Sequence, residues 1–222
     1  MIPLRDANPT RRTPVITLAL IVACFVVFAF ELGRLGSGGM EALDGFAREW
    51  GIVPAELTAA WASGTNLVNE ALTLVSSQFL HGGWLHLLGN LLYLWIFGNN
   101  VEDRLGRLRF LLFYLAGGAV AGLTQVAIDP DSMIPTIGAS GAIAATLGAY
   151  FVLFPRARIT SLVFLGFFYQ LIDGIASLGV TDVGGGVAFF AHIGGFVFGA
   201  LVALTMRAAA RRSRPVAPAT VG

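Results

Sequence analysis

The sequence predicts an all-α polytopic membrane protein, a bundle of six transmembrane helices. Three observations lead there: composition, the spacing of uncharged stretches, and the sidedness of the arginines. Of 222 residues, 56% are hydrophobic and 12% charged, about half the charged share of a soluble domain. A water-soluble chain of this length needs a polar exterior that so few charges cannot supply, and lipid must cover the remainder.

Uncharged stretches run through residues 13–30, 71–101, 110–128, 133–155, 159–172 and 183–206. Most approach or exceed the roughly 20 residues that cross a bilayer as a helix. The second is too long for a simple span. Its first ten residues or so, with Ser76, Ser77, Gln78 and His81, are therefore expected at the surface before the helix dips inward. The fifth has 14 residues before Asp173, and Gly174, Ile175 and Ala176 extend it if that aspartate sits at the membrane edge.

Charge placement tests the count independently, because basic residues collect in cytoplasmic loops. All fourteen basic residues are arginines, and six spans with a cytoplasmic N-terminus put twelve of them inside. Only Arg34 and Arg48 fall outside, while Glu41, Asp44, Glu49, Glu56, Glu70, Asp129, Asp131 and Asp182 populate the outer loops. An odd number of spans would scramble this separation. The net charge of +1 averages over a polarised molecule and gives no basis for nucleic-acid binding. Cys24, alone in the chain, can form no intrachain disulfide and reads as core packing.

The organisation expected is a cytoplasmic segment at 1–12, a membrane domain at 13–208 with an outer loop at 31–70, and a disordered cytoplasmic tail at 209–222. In the outer loop, Phe46, Trp50 and Trp61 suit the headgroup level. The first run could also be a secretory signal peptide. Its removal would leave five spans and place the two ends on opposite sides, and no small-residue cleavage site follows Phe30. No long Arg- and Ser-rich transit peptide precedes it, so a bacterial plasma membrane is the expected setting, with both termini cytoplasmic.

Chemistry enters through polar groups inside apolar runs, where an ionisable side chain is costly and marks function by default. His81, His86 and Asn90 lie at the outer part of the second run. At helical spacing His86 and Asn90 share a face, and His81 is turned away. His192 lies about a turn or two into the sixth span from its outer end, with Gly195 and Gly199 following on the same face; glycines four apart let a neighbouring helix approach closely. Taken alone, that stripe is equally a packing seam carrying an incidental histidine. The fourth run supplies a matching face in Gly138-Ala139-Ser140-Gly141, then Ala144, Ala145 and Gly148. Alone, a serine at a glycine-rich helix start is usually structural. Contact between the two smooth faces would bring Ser140 to His192, and a serine hydroxyl becomes a competent nucleophile once a base takes its proton. The soluble hydrolase elbow does not fit, since no strand pattern precedes Ser140 and a Gly-x-Ser-x-Gly spacing is absent.

Together, His-x₄-His-x₃-Asn, Gly-x-Ser-Gly and Ala-His-x₂-Gly-x₃-Gly, on the second, fourth and sixth runs, resemble the signature of the rhomboid family of intramembrane serine proteases. Glu102-Asp103-Arg104-Leu105-Gly106 and Arg109-Phe110 extend the resemblance, which covers about residues 78–199. It implies a rhomboid-like bundle and a serine endopeptidase that cleaves transmembrane protein substrates near the outer interface of the lipid bilayer, with no metal and no cofactor. In that reading Ser140 attacks, and His192 acts as general base and then acid with no third catalytic acid. His86, Asn90 and the Ser140 backbone N–H hold the oxyanion, and His81, Gly138 and Gly141 shape a water-accessible cavity. The fifth span is the implied gate, with Phe168 and Tyr169. Asp173 reads as interfacial or gating rather than as a third acid.

The chain departs from some members at Ala144, where they carry a tyrosine beneath the histidine, so orientation of His192 falls to the helix contact. A non-cleaving, rhomboid-like protein that binds membrane clients is the competing reading. Such a relative usually lacks the serine or the histidine, and both are present here. A transporter or channel would require more intramembrane charge or broken helices.

Overall fold

The computed structural model of the chain describes residues 2–162 and 189–212. In order these form β1 (Ile2–Asp6), α1 (Val15–Trp50), α2 (Pro54–Ser63), α3 (Leu67–Ser76), a 3₁₀ turn (Ser77–Phe79), α4 (Trp84–Tyr93), a π-helical turn (Leu94–Gly98), α5 (Asn99–Leu105), α6 (Arg107–Ile128), α7 (Ser140–Leu153), β2 (Ile159–Leu162) and α8 (Phe189–Arg212). Val15–Trp50, Arg107–Ile128 and Phe189–Ala209 are long and apolar enough to cross a membrane, and Ser140–Leu153 is a shorter apolar helix. The architecture is that of a helical polytopic membrane protein.

Local chemistry explains where these helices start and bend. The first N–H groups of α1 have no partner within their own helix, and the Glu102 carboxylate satisfies two of them. Ile16 N donates to Oε1 at 3.0 Å, Thr17 N to Oε2 at 2.8 Å, and the Thr17 hydroxyl to Oε2 at 2.8 Å. A carboxylate there also complements the positive end of the helix dipole. At Gly39 the backbone takes φ 66° and ψ −159°, breaking the helical path where a residue without Cβ tolerates it. The helix α2 starts on Pro54 and ends at Gly64 in the left-handed region, the usual asymmetry of proline at the start and glycine past the end.

Packing is densest where α6, α7 and α8 meet, because small residues face one another. A Cβ on Gly195 would strike the Gly141 carbonyl oxygen, one on Gly199 the Ala145 carbonyl oxygen, and one on Gly148 the Phe196 carbonyl oxygen. The seam anticipated from Gly195 and Gly199 is thus a backbone-to-backbone contact between α7 and α8. Around it Leu94, Phe97, Phe110, Tyr114, Ala145 and Tyr150 build the principal core.

Several boundaries differ from the sequence reading. The segment 31–70, expected as a loop, is mostly helical: α1 continues to Trp50, and α2 and the start of α3 follow. The second run does change character near its start, through the 3₁₀ turn, before α4 begins. In the fourth run only Ser140–Leu153 is helical, and the chain before it is tied to Ile52 by a bridge with Thr136. The fifth run opens as a strand, not a helix. Ile159–Leu162 pairs antiparallel with Ile2–Asp6, so the N-terminal segment is part of the fold. The rest of that run, with Phe168, Tyr169 and Asp173, lies outside the described residues, as does the tail after Arg212.

Candidate active site

The helix α7 is 14 residues long, or about 21 Å at 1.5 Å per residue, shorter than the roughly 30 Å of a bilayer's hydrocarbon core. Its first residue, Ser140, is therefore recessed if the other end of the helix reaches the opposite membrane surface. The chain reaches Ser140 through Gly138, whose φ of +120° belongs to glycine. Gly138 N donates to the Ser77 carbonyl at 2.8 Å, which fixes this approach against the 3₁₀ turn.

Absence of a side chain at Gly138 also makes room for two others. A Cβ there would lie 2.6 Å from His86 Nε2 and 3.7 Å from Asn90 Nδ2. The two residues share a face of α4 and converge on the residue two places before Ser140. From the other side, α8 brings His192 Nε2 to 2.7 Å from Ser140 Oγ. Close apposition of Gly195 to Gly141 sets the helix separation that allows this distance.

Hydrogen bonding defines what these groups can donate. Gly82 N donates to His86 Nδ1 at 3.3 Å, so the neutral ring carries its proton on Nε2, the nitrogen facing Gly138. Asn90 is buried, and its Nδ2 has no hydrogen-bond partner. Two N–H donors thus stand open beside Ser140, and the backbone N–H of Ser140 lies in the first turn of α7, where helical N–H groups lack intrahelical partners. His81 is 1% exposed and stacks edge-on against His86, with ring centroids 5.1 Å apart. Its Nδ1 lies 3.1 Å from the Phe79 carbonyl, which only accepts, so Nε2 is left as an unpartnered lone pair.

Among the described residues no carboxylate hydrogen-bonds to His192, and no group of three or more His, Cys, Asp and Glu converges as metal ligands would. Ala144, one turn after Ser140 on α7, is buried and carries no polar side-chain atom.

Sequence reasoning missed one side chain, Glu31, and misplaced another, Gln78, which it expected at the surface. Glu31, near the outer end of the first apolar run, is 2% exposed, and both its oxygens receive the His81 backbone N–H. Gln78 is buried and donates from Nε2 to the Leu74 and Leu115 carbonyls. A carboxylate closing an apolar run was the available signal for Glu31; the uncharged surroundings of Gln78 left its burial unmarked.

A family model described as Rhomboid domain matches residues 68–209. The chain is 30% identical over 138 residues to presenilin-associated rhomboid-like protein A, mitochondrial, of Danio rerio, covering 59% of this chain and 36% of that protein. It is 30% identical over 161 residues to rhomboid protein 1, mitochondrial, of Saccharomyces cerevisiae, covering 66% and 45%. With rhomboid-like protease 5 of Toxoplasma gondii it shares 32% over 157 residues, covering 67% and 18%. The chain thus spans less than half the length of each of these relatives. Mitochondrial names among them overturn the expected bacterial plasma membrane. That expectation leaned on the apparent lack of a targeting segment, which is a removable address and leaves no trace in the membrane core.

Proposed function

The chain belongs to the rhomboid family, and on that premise we propose that it is an intramembrane serine endopeptidase, with Ser140 as nucleophile and His192 as its base. The observation that carries this reading is the 2.7 Å approach of His192 Nε2 to Ser140 Oγ beside two open donors, His86 Nε2–H and Asn90 Nδ2.

In the proposed reaction the Ser140 hydroxyl gives its proton to His192 Nε2 as Oγ attacks the scissile carbonyl carbon. Negative charge moves onto the carbonyl oxygen, where His86, Asn90 and the Ser140 backbone N–H donate to it. Each such donor is typically worth about 2.7–4 kcal/mol of transition-state stabilisation. The imidazolium then protonates the leaving amine, the peptide C–N bond breaks, and an ester to Ser140 remains. Water, deprotonated by His192, hydrolyses that ester and restores the hydroxyl. Because no carboxylate among the described residues hydrogen-bonds to the imidazole, its placement falls to the glycine-lined contact between α7 and α8.

Hydrolysis within a bilayer requires a route for water. The exposed His86 and the half-buried Ser76 are polar positions that offer such a route on the side of the bundle where Ser140 begins α7. Substrates of the proposed enzyme are transmembrane proteins cut near the outer interface, and relatives' names point to a mitochondrial membrane as the setting. A fluorophosphonate probe should label the purified chain on Ser140, fail on Ser140→Ala, and label His192→Ala far more slowly. Equal labelling of all three would refute the assignment.

A further inference from the structure

We propose that Glu31 is a positioning residue of this site: its carboxylate anchors the turn at residues 80–83 and, through that turn, holds the His86 ring so that Nε2–H faces Ser140. The role of His86 rests on the protease reading above; the chain of contacts does not.

A carboxylate removed from water requires compensation, usually by a cation or by several donors. Glu31 has neither among the described residues. It is 2% exposed, and its two oxygens share one donor, the backbone N–H of His81, at 3.0 and 3.1 Å. The contact joins α1 to a turn 50 residues later. That turn has weak local support: Leu80 N donates to the Ser77 carbonyl at 3.3 Å, and the His81 ring returns to the Phe79 carbonyl. Pinning the His81 nitrogen therefore sets where the following peptide plane points.

The N–H of the next residue, Gly82, is the donor to His86 Nδ1. This bond decides the tautomer, because a ring nitrogen that accepts cannot carry the proton. If the turn swings away, His86 is free to place its proton on either nitrogen and to rotate off Gly138, and the oxyanion loses one donor for part of the time. Glu31 touches neither Ser140 nor His192, so it acts only through the turn.

The test uses the full chain with ¹⁵N-labelled histidine in detergent micelles, reading the His86 ring nitrogen shifts, alongside cleavage kinetics of a single-span reporter. Wild type should show the Nε2–H tautomer at His86. Glu31→Gln, which keeps an oxygen for the His81 N–H, should retain that signature. Glu31→Met, of similar size without an acceptor, should show mixed tautomers and a kcat lowered about tenfold at unchanged KM, short of the about 10²–10³-fold loss of a whole oxyanion donor. Should Glu31→Met not fold, Glu31→Asp, which keeps the charge but withdraws the oxygens by one methylene, should give the same mixture. An unaltered Nε2–H tautomer in folded Glu31→Met or Glu31→Asp would overturn the inference. A wild-type chain that cleaves nothing would overturn the protease reading instead, and the ring shifts would still decide the role of Glu31.

Discussion

The two ends of α7 handle buried polarity in opposite ways. Around its C-terminal end the groups are closed on one another. Asp6 accepts from Asn8 N at Oδ1 and from Asn100 Nδ2 at Oδ2, Asn8 Nδ2 donates to the Tyr150 hydroxyl, and nearby Glu102 spends both oxygens on the start of α1. Around its N-terminal end, Asn90 Nδ2, aimed at Gly138, and His81 Nε2, on the ring stacked against His86, are buried and unpartnered among the described residues. Because an unpaired buried polar atom is costly, a folded chain keeps one where a ligand or water completes it. One end therefore stabilises the bundle and the other is built to receive something. Gln78 Oε1, Tyr114 Oη and Gln125 Oε1 are also unpartnered, and nothing among the described residues around them gives them a role.

This contrast can be broken by substitution. At the open end, His192→Ala should lower kcat by about 10⁴-fold or more if it serves as the base, measured as reporter cleavage in liposomes. Asn90→Ala should lower kcat by about 10²–10³-fold. It should leave the thermal midpoint nearly unchanged, because the Nδ2 group it removes has no bond to lose. At the closed end the expectation reverses. Glu102→Ala should cost about 3 kcal/mol of stability by stripping the half-buried Ile16 N–H and the buried Thr17 N–H of their acceptor, with activity per folded molecule preserved. Asn8→Ala, losing one bond to Tyr150, should cost about 1 kcal/mol, read by denaturant unfolding. Loss of stability at Asn90, or loss of turnover without unfolding at Glu102, would dissolve the distinction.

How much of this was legible in the sequence follows from range and from contrast. Ser140, His86, Asn90 and His192 stood out because polar groups in apolar runs are conspicuous, and the glycine stripe on α8 announced a helix contact that the structure places against Gly141 and Ala145. The pairing of Ile2–Asp6 with Ile159–Leu162 was illegible, since four uncharged residues at the start of a run look alike as strand or helix and the partner lies at the far end of the chain. The extension of α1 to Trp50 was hidden by its glycines, which read as loop but break the helical path only at Gly39. Glu31 read as the mere end of a span. Only coordinates show that its carboxylate turns back to meet His81.

The central claim is that Ser140, activated by His192, cuts peptide bonds inside a membrane. Its most direct test is reconstitution of the full chain into liposomes with a single-span reporter carrying a helix-destabilising, small-residue segment near the outer interface. The account predicts a cut within that segment by the wild-type chain and none by Ser140→Ala. Cleavage that survives Ser140→Ala, or a folded wild-type chain that leaves every such reporter intact, would contradict it.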